Sequence, residues 1–141
     1  MTAGNPALAR AAAFCEVYGL QLPILMAPMA GSCPVELAIA VGNAGGLGAC
    51  GALLMAPDAI RDWSAKHRAG TNASLHLNIW IPDSPPQRNA DNEAAVAEFV
   101  SRWGPEVSVE AGDATPLDFE AQCDAMLEAS PAVISSIMGV F

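Results

Sequence analysis

Two alternating rhythms run along this chain. In residues 5–18, Leu8, Ala12 and Cys15 recur at helical spacing and Gly19 follows, which predicts a short helix. Residues 23–29, PILMAPM, are a continuous apolar run bounded by prolines, the pattern of a strand buried on both faces. Ser32 is placed to cap a second helix, with Pro34 in its first turn and Val35, Ala38, Ile39 and Gly42 at helical spacing. Gly45 and Gly46 end that helix, and residues 47–53 predict a second buried strand. Residues 57–68 predict a third helix with Ile60 and Trp63 on its apolar side; Lys66 and Arg68 fall in its last turn, where the helix dipole favours cations. Residues 75–80, LHLNIW, predict a third strand, followed by a long proline-rich loop. Residues 92–103 (Val96, Phe99, Val100, Trp103) and 117–129 predict two more helices, separated by a polar, acidic stretch. Residues 132–138 predict a fourth strand.

Short buried strands alternating with helices predict an α/β fold with parallel pairing. Four strands do not close a barrel, and a full (β/α)8 barrel takes about 250 residues, so 141 residues suit one domain or a piece of a larger one.

Composition narrows the function classes. Hydrophobic residues make up 52% and charged residues 15%, enough apolar side chain for a substantial core. The net charge is −9, and six scattered basic residues do not make the cationic face that nucleic acid or an anionic membrane requires. The uncharged stretch 37–56 is long enough to span a bilayer, but Asn43 to Gly46 break it and acidic residues flank it; helix, glycine turn and buried strand is the better parse. No signal peptide is visible. Cys15, Cys33, Cys50 and Cys123 form no C-x-x-C pair and read as buried free thiols in a reducing cytoplasm.

Few residues suggest chemistry. The glycines of residues 42–48 close a helix and open a strand, the reverse of a dinucleotide loop, so they read as a helix cap with close helix–strand packing. Residues 27–31, APMAG, lie at the C-terminal end of the first predicted strand, the edge where parallel α/β folds bind ligands; on pattern alone they are a turn or a cofactor contact. His76, Asn78 and Trp80 share one face of the third strand. The Asn78 amide is either bonded to neighbouring groups or turned to a ligand. His67, near a helix end, reads as a solvated partner of the dipole, Glu106, Glu110 and Asp113 as a solvated acidic loop, and neither histidine sits in a metal-ligand arrangement.

At this point four segments are recognisable. PILMAPMAG (residues 23–31), PVELAIAVGNAGGLGACG (34–51), LNIWIPDSPP (77–86) and SSIMGVF (135–141) occur in order and resemble the nitronate monooxygenase family, formerly the 2-nitropropane dioxygenases. The resemblance implies an FMN-containing TIM barrel that oxidises alkyl nitronates with O2 to a carbonyl compound and nitrite. It places Ala27, Pro28 and Met29 against the flavin ring and makes Asn78 an FMN contact. A backbone N–H near Met29 would then tune the flavin's reactive nitrogen. His76 stands where many relatives have a small residue. The family's catalytic histidine belongs to a glycine-rich segment that no part of this chain matches, so no catalytic residue is expected here. The expectation is therefore the first four strands and intervening helices of a half barrel, residues 1–141, truncated after the fourth strand and inactive alone. Its partners would be a small nitronate and O2, with self-association possible through open sheet edges. Two other readings stand beside it: a flavin-dependent enoyl-acyl-carrier-protein reductase, and a non-catalytic short protein that associates through those edges.

Overall fold

The computed structural model describes residues 5–85, 87–113 and 115–140. Phe141, after which truncation is expected, and Pro86 of the LNIWIPDSPP segment lie outside these. The described chain forms two compact units: residues up to Ile81 with those from Leu117 onward, and Pro82–Pro116 between them.

In the larger unit, α1 (Pro6–Tyr18) is capped by Asn5 and ends at Gly19 in the left-handed conformation (φ 66°). Next come α2 (Val35–Asn43), β1 (Gly48–Gly51), α3 (Pro57–Gly70) and β2 (Leu75–Trp80). Then α5 (Phe119–Glu128), capped by Asp118, leads into β3 (Val133–Ile137). The three strands form a parallel sheet in the order β1-β2-β3. Gly51 is in register with Asn78, and Asn78 with Ser135.

The α/β alternation and parallel pairing agree with the sequence. The first predicted strand does not: it is reduced to a single parallel bridge between Leu25 and Leu47. Two hydrogen bonds hold it, Met26 N–H to Leu47 O and Leu47 N–H to Ile24 O, each 2.9 Å. Pro23 and Pro28 bracket this pairing and have no N–H to extend it. Its burial is also one-sided, since Met26 is buried while Ile24 and Leu25 are 57% and 48% exposed.

One face of β2 makes the core. Leu75, Leu77 and Ile79 pack with Cys50, Ile60, Ala125, Met126 and Ala129, so α3 and α5 cover this side of the sheet. The other face carries His76, Asn78 and Trp80. Two glycines allow the helix, the bridge and β1 to close up: a Cβ on Gly46 would lie 2.8 Å from Ile24 O, and one on Gly48 2.5 Å from Ala38 O. This is the packing role expected of the glycine segment. Ser32, however, is not a cap. Pro34 occupies the N-cap position of α2 with extended backbone (ψ 145°) and no side-chain cap bond.

His67 departs furthest from expectation. It is 1% exposed, buried on the same face of α3 as Ile60 and Ser64, and stacks on Trp63 with ring centroids 5.8 Å apart. Spacings of four and three from Ile60 to Ser64 to His67 put all three on the inward stripe.

In the smaller unit, α4 (Ala90–Val100) is capped by Asn89 and buries none of its residues; Val96, Phe99 and Val100, with Trp103 beyond its end, are exposed. A short 3-10 turn, Val109–Asp113, follows. Arg88 ties the unit together, reaching Glu93 at 2.6 Å, Gly112 O at 2.7 Å and Asp113 at 3.0 Å. The expected solvated loop thus has Asp113 in an ion pair, while Glu106 and Glu110 are exposed. No helix among the described residues is long and apolar enough to cross a membrane.

Candidate functional site

The site candidates lie at the C-terminal ends of the parallel segments, where strand ends leave backbone groups unpaired. After the Leu25–Leu47 bridge the chain turns through Ala27–Gly31, with Gly31 at φ 72°. Ala27 and Met29 are exposed and Pro28 is half-buried. Cys33 holds this turn from beneath. Its buried thiol accepts the Met29 N–H at 3.0 Å and donates to Ala27 O at 3.5 Å, while its own carbonyl accepts from Trp63 Nε1 at 3.1 Å.

The turn rests directly on β1. A Cβ added to Gly51 would stand 2.6 Å from Ala30 N and 3.0 Å from Met29 C, so only glycine lets the two backbones approach this closely. With Gly51 level with Asn78, and Asn78 level with Ser135, these three residues form one row across the sheet, and Ala30 packs against the Gly51 end of it. The structure therefore brings Met29 and Asn78 to the same level of the sheet, with Gly51 between them.

Asn78 is half-buried, and its Nδ2 donates to Ser135 Oγ at 2.7 Å. His76, 8% exposed, places Nε2 2.7 Å from the same oxygen. His76 Nδ1 is buried with no partner among the described residues. Burial pushes the His76 imidazole below its ordinary value, so the ring is neutral near pH 7. The Asn78 amide is thus bonded on one side, and among the described residues its Oδ1 has no partner. The first of the two alternatives, a bond to a neighbouring group, is realised at the nitrogen end of the amide.

One expectation changes here. The Met29 N–H is already taken by Cys33, so the next donor along the turn, Ala30 N–H, is left without a partner among the described residues, as is Gly31 N–H. Sequence reasoning also missed Ser135, Cys33 and Gly51. Ser135 is one of two serines, with Ser136, in the strand VISSI, and a polar residue on each face of that strand was the available signal. Cys33 and Gly51 gave none, because their role depends on contacts made across the fold. Among the described residues, no cluster of metal-ligating side chains exists.

Comparison with known proteins gives a consistent picture. The sequence profile of the family described as nitronate monooxygenase matches residues 12–140. A nitronate monooxygenase of Paraburkholderia phytofirmans is 36% identical over 91 residues, covering 64% of this chain and 24% of that protein. This chain therefore spans about a quarter of the length of that relative. Among solved structures, a nitroalkane oxidase from Streptomyces ansochromogenes superposes with TM-score 0.69 at 26% identity, over 92% of this chain and 37% of that one. A FabK variant from Thermotoga maritima shares the fold, with TM-score 0.59 at 24% identity over 90% of this chain and 32% of that one. A profile match through nearly all of the chain, on a parallel sheet whose strand ends carry the expected segments, leads to one conclusion: the chain belongs to the nitronate monooxygenase family of flavin-dependent oxidoreductases.

Proposed function

We propose that this chain is the N-terminal half of a (β/α)8 barrel that binds FMN and oxidises alkyl nitronates with O2, giving a carbonyl compound and nitrite. The observation that carries this is the row of Gly51, Asn78 and Ser135 at the C-terminal edge of the sheet, with Ala30 packed against Gly51. Among the described residues it offers an unpaired donor, Ala30 N–H, and an unpaired acceptor, Asn78 Oδ1. That pair of opposite kinds suits the polar edge of an isoalloxazine, which carries both carbonyl acceptors and an imide N–H. The apolar turn at Ala27, Pro28 and Met29 would hold the flavin by packing against it, and Asn78 would hold it through its amide. When bound, the flavin supplies the electron transfer and the O2 chemistry; the protein positions and tunes it.

This chain's own residues bind and orient. Cys33 and Gly51 hold the turn at fixed height above β1, and Ser135 holds the Asn78 amide. Neither histidine is available as a base for substrate, since both are buried. The proton-handling residue and the FMN phosphate site, which barrels build from late strands, belong to segments beyond these four. Among the described residues the three strands, with the bridged segment beside β1, form an open sheet, and closing a barrel takes about eight strands. Free thiols suit a reducing compartment, and we place the protein in the cytoplasm.

The test is nitronate-dependent O2 uptake with added FMN, measured on residues 1–141 and on a protein in which this segment is followed by the remaining barrel strands. We expect turnover only from the completed barrel. Turnover by residues 1–141 alone would overturn the half-enzyme reading. A completed barrel whose flavin is reduced by NAD(P)H and which ignores nitronates would favour an enoyl-thioester reductase instead.

A further inference from the structure

We propose that His76 is a positioning residue which, acting through Ser135, locks the Asn78 amide with its carbonyl oxygen outward, so that position 78 presents a hydrogen-bond acceptor to its ligand. The argument begins with hydrogen counting. Ser135 Oγ has two neighbours, Asn78 Nδ2 and His76 Nε2, each at 2.7 Å, and no third partner among the described residues. An amide nitrogen only donates, so the hydroxyl oxygen accepts from Asn78. The single hydroxyl hydrogen then has one acceptor in reach, His76 Nε2. The alternative, in which Nε2–H donates to Oγ, gives the oxygen two donors and leaves the hydroxyl hydrogen without a partner beside the already unpartnered Nδ1. Each such orphan costs about 1–3 kcal/mol. The chain of bonds therefore runs Asn78 to Ser135 to His76, and the imidazole carries its proton on Nδ1.

The consequence reaches the ligand. In this order the hydroxyl hydrogen is committed to His76 and the carbonyl end of the amide stays free; an inverted amide requires the reverse order, Nε2–H to Oγ and Oγ–H to Asn78 Oδ1, so the His76 tautomer reports which end of the amide faces outward. An acceptor at this place selects a ligand with an N–H on its edge, such as the imide of an isoalloxazine. This consequence rests on the proposed flavin reading; the bonding order itself does not. Burial fixes the arrangement: His76 is 8% exposed between β1 and β3, in register with Ala49 and Val133, and no charged residue lies at those neighbouring positions.

The experiment is long-range 1H–15N correlation of the histidine rings in the purified chain, at about pH 8, above the ordinary imidazole range. A His76→Asn variant assigns the His76 signals against those of His67. We expect Nδ1–H with a bare Nε2 at His76. Ser135→Ala should shift the ring towards the Nε2–H form that free imidazole side chains favour, and Ser135→Thr, which keeps the hydroxyl, should restore Nδ1–H. An Nε2–H tautomer in the parent, or a tautomer unmoved by Ser135→Ala, overturns the proposal. FMN titration of the completed barrel by fluorescence quenching then tests the consequence. Ser135→Ala should weaken binding about tenfold and Ser135→Thr should recover it. A completed barrel that binds no FMN, built on a chain with the expected tautomer, counts against the flavin reading and leaves the bonding order standing.

Discussion

Gly51 is where the geometry of the site can be probed with a single methyl group. Replacing it with alanine puts a Cβ 2.6 Å from Ala30 N and 3.0 Å from both Ala30 Cα and Met29 C. All three are backbone atoms, so no side chain can rotate away. Ordinary contacts begin near 3.4 Å, so the turn must retreat by roughly 1 Å or β1 must bend, and interiors packed at crystal density resist both. Overpacking of this kind costs about 1–3 kcal/mol. Alanine recovers about 0.4–1 kcal/mol by restricting the unfolded chain, which leaves a net loss of about 1–2 kcal/mol. In a chain of this size each kcal/mol lowers the thermal midpoint by roughly 3–5 °C, so circular dichroism should record a drop of about 3–10 °C. The displaced turn also carries Ala30 N–H away from the row of Gly51 and Asn78, so FMN affinity should fall together with stability. Gly104→Ala is the control: nothing lies within 4 Å of its Cβ, and the change should stay within about 0.5 kcal/mol. A Gly51→Ala chain with the parent's midpoint and the parent's FMN affinity would refute the claim that this contact sets the height of the turn.

Three further outcomes follow from buried groups. Gln122, 4% exposed, donates through Nε2 towards the carbonyls of Ala52, Leu53 and Met55 at 3.2, 3.3 and 2.7 Å, holding the loop after β1. Gln122→Leu should cost about 1–3 kcal/mol in urea unfolding through the acceptors it strands; an unchanged midpoint would mean water replaces the amide. His67 and His76 are both shifted below their ordinary value of 6.5, chiefly by burial. The unfolded chain therefore binds more protons as pH falls below about 6.5, so stability should be full above that value and decline beneath it. Urea midpoints that stay flat, or rise, on acidification would contradict the neutral burial of both rings. Burial pushes the Cys50 thiol up to about 12, with a smaller contribution from Cys33, so alkylation in the native state should spare Cys50, which peptide mass mapping checks.

The extent to which the fold could be read in advance varied with the range of the interactions involved. The α/β alternation, the strand at residues 75–80 and the helix ending at Gly19 were legible because hydrophobic period and glycine or proline punctuation are local properties. The strand at residues 23–29 was over-read. Its apolar run was real, but pairing depends on which N–H groups meet which carbonyls, and Pro23 and Pro28 confined the ladder to one bridge. His67 was misjudged because its place on the buried stripe with Ile60 and Ser64 shows only once α3 is set against the sheet.

The site divides in the same way. The segments that carry the family resemblance, and with them Ala27, Pro28, Met29 and Asn78, are written in the linear order of residues. Register is not. That Asn78 stands level with both Gly51 and Ser135, and that His76 shares a hydroxyl with Asn78, were decided by parallel strand pairing between residues 27 to 59 positions apart. Hydrophobic burial specifies which face of a strand turns inward, whereas hydrogen bonds between distant polar groups exist only after the strands have been aligned, so the chemistry of the row belongs to the tertiary structure.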